Sequence, residues 1–127
     1  MAKKIKLNAV DMVRLIYKAM DDKKAEDIKI LDIGGISTIA DYFIICSAGN
    51  STQLEAVIDN IAETLGREGV LSKRTEGGRG SGWVLMDYGD VVVHVFSKDD
   101  RLFYDLERIW RDGKSVDIKE LPIQPAK

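Results

Sequence analysis

Apolar positions recur at helical spacing in three stretches of the chain. Val10, Val13, Ile16, Tyr17 and Met20 form one stripe, which predicts a helix over residues 8–24. Asn8 is placed to cap it, with Asp11 in the first turn. Met12, Leu15 and Ala19 fall on a different side, so this helix is expected to lie between two layers or against another chain. Leu54, Val57, Ile58, Ile61 and Leu65 predict a second helix over 51–67. Asn50 and Gln53 have capping-box spacing before it, Glu63 and Arg67 can pair on its wet side, and Gly66 and Gly69 help to stop it. Leu102, Phe103, Leu106, Ile109 and Trp110 predict a last helix over 98–111, capped by Ser97 with Asp100.

Between the helices the pattern changes to strands. Residues 27–33 alternate, and Gly34-Gly35 breaks them. Residues 42–47 are a continuous apolar run, the mark of a strand buried on both faces. Residues 70–75 predict a third strand, and 83–87 and 91–96 two more. Tyr88-Gly89 is the expected tight turn of a hairpin, with Asp87 and Asp90 facing each other across its mouth. The glycines at 77, 78, 80 and 82 predict a mobile loop. The order implies an α/β fold: one mixed sheet of about five strands with helices packed on it. The domain is expected over residues 8–118, with tails at 1–7 and 119–127.

Composition narrows the classes. A chain of 127 residues with 45% hydrophobic residues builds one core without disulfides or a structural metal. The net charge of −2 argues against coating nucleic acid through bulk charge. One cysteine, Cys46, allows no internal disulfide and no cysteine-type zinc site. One histidine, His94, excludes sites built on several histidines. No apolar run is long enough to span a membrane and no signal core follows the basic start, so an intracellular, cytoplasmic setting is expected.

Candidate chemistry is thin. Gly78-Arg79-Gly80-Ser81-Gly82 leads into a strand, so no helix N-terminus faces a phosphate there. Asp87 and Asp90 could hold magnesium, but Asp is also a turn residue that bonds local backbone. His94 within an apolar strand reads as a core or interface residue, and Cys46 as a buried, inert thiol. Ser47 and Ser51 sit in no nucleophile elbow. The aromatics say more. Trp83 opens a strand beside the glycine loop and is a candidate anchor. Tyr104, Arg101, Arg108 and Arg111 share the side of the last helix away from its apolar stripe, as a solvated face or a contact surface.

Three segments together resemble the ribosomal silencing factor family, also called Iojap-like. They are Ala40 to Ser47 with Ser51 and Gln53, then Glu76-Gly77 with Gly82-Trp83-Val84-Leu85-Met86-Asp87-Tyr88-Gly89-Asp90 through His94-Val95-Phe96, then Arg101-Leu102-Phe103-Tyr104-Asp105-Leu106-Glu107-Arg108-Ile109-Trp110. The resemblance covers residues 8 to 118 and implies a nucleotidyltransferase-like topology. It implies binding to the large ribosomal subunit through ribosomal protein fourteen, on the face that meets the small subunit, and repression of translation when nutrients are short. By position, the contact surface is expected to involve Trp83, Asp87, Tyr88, Asp90, His94 and Phe96. No cofactor, no catalysis, no membrane and no direct nucleic-acid contact are expected. Gly49-Asn50-Ser51 is a poor copy of the Gly-Ser element of active nucleotidyltransferases, and no Asp-x-Asp lies on a following strand. The alternatives are a nucleotidyltransferase-like enzyme and an RNA-binding module on the ribosome. Self-association as a homodimer is also expected, to hide the second apolar side of the first helix and the two apolar faces of strand 91–96.

Overall fold

In the computed structural model, residues 7–35, 40–77, 82–98, 114–116 and 118 are described. Helix α1 (Ala9–Asp22) is followed by strands β1 (Glu26–Asp32) and β2 (Tyr42–Ala48) and helix α2 (Ser51–Arg67). Strands β3 (Arg74–Glu76), β4 (Trp83–Asp87), β5 (Val91–Ser97) and β6 (Lys114–Val116) complete the order. The helix expected over 98–111, with Tyr104 and its arginines, lies outside the described residues.

Both helices begin where their caps allow. Asn8 accepts the Asp11 N–H at 2.8 Å, and Asn50 accepts the Gln53 N–H at 2.8 Å. The Gln53 side chain does not reach back to its own cap residue. Its Oε1 accepts from Gly49 N–H, and its Nε2 donates to the carbonyls of Lys23 and Lys24 at the end of α1. One side chain thus ties the end of α1 to the start of α2. Both helices end in the same paired-bond motif. Ala25 N–H bonds Met20 O and Lys24 N–H bonds Asp21 O after α1; Val70 N–H bonds Leu65 O and Gly69 N–H bonds Gly66 O after α2. The left-handed residue is Gly69 (φ 81°) in the second case and Lys24 (φ 61°) in the first.

The strands form one six-stranded sheet in the order β3-β4-β5-β2-β1-β6. Central β2 and β5 run parallel, and every other pair is antiparallel. This is the expected mixed sheet, extended by the short strand β6, which the sequence pattern does not announce. β3 begins at Arg74 rather than residue 70, because Val70 is used to close the end of α2.

Period-two alternation divides the core between the faces. Ile44, Cys46, Ala48, Val84, Met86, Val91, Val93 and Val95 join α1 and α2 in one cluster. Phe43, Ile45, Val92 and Phe96 join Leu31 and Ile33 in a second cluster on the opposite face. β2 is therefore buried on both faces, as its unbroken apolar run predicts. Most of the second side of α1 is covered within the chain, with Leu15 partly buried there. Met12 and Ala19 are buried in the first cluster, and Asn60 Nδ2 donates to Ala19 O at 2.9 Å. The surface from which a homodimer is expected on the sequence is in large part internal.

Candidate functional site: an aromatic cluster under β4

The six residues expected at a contact surface lie on or beside the β4–β5 hairpin, and the sheet separates them. Its register pairs Trp83 with Phe96, Leu85 with His94 and Asp87 with Val92. The tight turn is therefore Gly89-Asp90, not Tyr88-Gly89. Tyr88 N–H bonds Val91 O at 2.9 Å, and Gly89 takes φ +88°, the sign required at the first position of a II′ turn. Asp87 does not face Asp90. Its Oδ1 accepts the Gly89 N–H at 2.8 Å and so holds the turn. The Asp90 carbonyl accepts from Asp41 N–H and Tyr42 N–H, which pins the turn to the start of β2.

Burial divides the six further. Trp83, Leu85 and Asp87 are partly exposed on one face of β4, alternating with buried Val84 and Met86. Tyr88 is buried on the helix side, and its hydroxyl is pushed up to about 12 by that burial. His94 and Phe96 lie in the core of the opposite face, 3% and 0% exposed. Asp90 is exposed at the turn. His94, Phe96 and Tyr88 thus present almost no surface of their own.

Three of the six meet as a cluster. The Trp83 indole stacks on Phe96 with ring centroids 5.1 Å apart and 23° between planes. His94 lies 5.9 Å from Trp83, and Trp83 Nε1–H donates to His94 Nδ1 at 3.1 Å. Phe43 closes the group, edge-on to His94 at 4.7 Å. Phe43 and Leu85 pack in the same cluster and are not among the six residues expected at the contact surface. Their parity within their own strands was readable, but the parallel pairing that sets β2 beside β5 was not. Burial pushes the His94 imidazole down to about 4, so it is neutral at ordinary pH.

At the turn end of the hairpin an open groove of about 570 Å³ is lined by Asn8, Asp32, Gly34, Asp41, Tyr42 and Asp90, among others. Burial raises the Tyr42 hydroxyl above its ordinary value, with Asp32 and Asp41 adding to the effect. Among the described residues no three His, Cys, Asp or Glu side chains are grouped to hold a metal ion. Cys46 is buried in the helix-side cluster. No helix among the described residues is long and apolar enough to cross a membrane.

Fold and geometry define a small single-sheet α/β protein in which Trp83, His94, Phe96 and Phe43 pack into an aromatic cluster. Residues 6–127 match the family described as ribosomal silencing factor during starvation. The chain belongs to that family. It is 43% identical over 112 residues to the ribosomal silencing factor of Bacillus subtilis, covering 88% of this chain and 95% of that protein. Identity to the corresponding factor of Halalkalibacterium halodurans is 42% over 109 residues, covering 86% and 93%. A crystal structure of a Chromobacterium violaceum protein, 30% identical, superposes with a TM-score of 0.80 over 87% of this chain and 92% of that one.

Proposed function

We propose that this chain is a non-enzymatic ribosomal silencing factor of the cytoplasm. It binds the large ribosomal subunit through ribosomal protein fourteen, on the face that meets the small subunit, and lowers translation by preventing subunit joining. Family membership supports the silencing role. The observation that carries the mechanism is the stripe of Trp83, Leu85 and Asp87, partly exposed along β4 beside the exposed edge strand β3. A partly exposed tryptophan is the kind of side chain enriched at protein contacts, and Asp87 would stand at the polar rim of such a contact. The Asp32, Asp41 and Asp90 groove at the far end of the hairpin adds acidic surface that complements a basic partner. The side chains that an enzyme reading would use have structural positions here: Asp87 holds a turn, and His94 and Cys46 are in the core.

Trp83→Ala tests this reading. Truncating a central interface aromatic costs about 2–4 kcal/mol, a roughly 30- to 1,000-fold loss of affinity. Titration of the variant against purified ribosomal protein fourteen and against large subunits should show that loss, with the circular dichroism spectrum unchanged. Undiminished affinity removes Trp83 from the contact.

A further inference from the structure

His94 is an expensive residue for its position. It stands among Phe43, Phe96 and Trp83, 3% exposed, where a phenylalanine of similar shape would bury no polar atom. Its Nδ1 accepts the Trp83 indole N–H, so in the neutral ring the proton sits on Nε2. Nε2 is buried and has no hydrogen-bond partner among the described residues. A buried donor without an acceptor lowers stability. The imidazole therefore contributes to the fold less than its apolar isostere would, and what it adds is one acceptor at one point.

That acceptor fixes the tryptophan. Trp83 pairs with Phe96 across the ladder and lies diagonally opposite His94. Stacking on Phe96 sets the plane of the indole but does not choose between its two χ2-related flips, which present opposite edges in the same plane. The hydrogen bond to Nδ1 selects one orientation, with the N–H pointing into the core. We propose that His94 is a positioning residue. It locks the indole of Trp83 so that the partly exposed tryptophan meets its protein partner through ring carbons, and the partner's side chain at that point is apolar. This rests on the reading of Trp83 as a contact residue. A pre-set ring costs less ordering on association, so the lock contributes affinity without touching the partner.

Two sets of measurements separate the lock from the contact. Because His94 is the only histidine, the imidazole nitrogen spectrum needs no assignment. It should show the Nε2–H tautomer, and the Trp83 indole N–H, told apart from that of Trp110 by a Trp110→Phe variant, should exchange slowly. In His94→Phe the melting temperature should not fall, the indole N–H should exchange at least about ten-fold faster, and affinity for large subunits should drop by about ten-fold. His94→Asn places Oδ1 near the Nδ1 position and should restore both slow exchange and affinity. Trp83→Phe, which keeps a ring and lacks the N–H, should bind within about ten-fold of the parent. An Nδ1–H tautomer in the parent protein overturns the lock without any variant. So does slow indole exchange in His94→Phe, or released exchange with unchanged affinity. A Trp83→Phe variant as weak as Trp83→Ala overturns the apolar contact. Full affinity in Trp83→Ala overturns the contact reading, and the tautomer and exchange data then judge the lock separately.

Discussion

At the scale of single residues, His94 sets how the fold responds to acid. Its folded-state pKa of about 4 lies below the ordinary histidine value of 6.5. The unfolded chain therefore takes up the proton first as pH falls. The neutral imidazole's share of stability is complete above about pH 6.5 and is lost progressively down to about pH 4. A depression of this size corresponds to about 3 kcal/mol. Urea unfolding at pH 7.5, 6, 5 and 4 should show a steeper decline in the parent protein than in His94→Phe, since the difference between the two cancels the carboxylates they share. Parallel declines would mean that the imidazole is not buried neutral. The identity of this residue was legible in the sequence as a lone histidine in an apolar strand. Its partner was not, because the two possible two-residue turns in Asp87-Tyr88-Gly89-Asp90 give the same inside–outside alternation. One sets Trp83 directly opposite His94 and the other opposite Phe96, and only the folded register chooses the second.

At the scale of elements, the helix ends carry the clearest local consequences. Lys24 occupies the left-handed position after α1 that Gly69 occupies after α2. A side chain there costs about 1–2 kcal/mol, while glycine would add about 0.4–1 kcal/mol of unfolded-state entropy. Lys24→Gly should therefore stabilise the protein by about 0.5–1 kcal/mol in thermal or denaturant unfolding. Its carbonyl still accepts from Gln53, so the link between the helices survives the change. Gly89 makes the opposite case. With φ +88° and the Lys73 side chain 3.2 Å from where a Cβ would stand, Gly89→Ala should lose about 1–2 kcal/mol in the same measurement. The asparagine caps, the stripes of α1 and α2 and the two-faced burial of β2 follow from patterns within each segment, so the sequence announced them. β6 is three residues long and exists because β1 offers it a ladder, a long-range condition with no local trace. The late start of β3 has the same kind of cause, since Val70 is committed to the end of α2.

At the scale of the whole molecule, the central strands β2 and β5 are buried on both faces and offer a partner almost no surface. Around the hairpin, the described residues offer the Trp83–Leu85–Asp87 stripe beside the β3 edge and the acidic groove at the other end. Trp83 and Asp87 are four residues apart on one strand, about 14 Å, which a standard protein contact spans with room to spare. On the proposed reading the chain acts by occupying space, so its effect should follow binding rather than turnover. Sedimentation of the protein with separated ribosomal subunits, with and without the small subunit, tests this most directly. The protein should travel with isolated large subunits and reduce the joined peak in proportion to its occupancy, and Trp83→Ala should do neither at the same concentration. A protein that travels equally well with joined ribosomes would contradict the proposed reading.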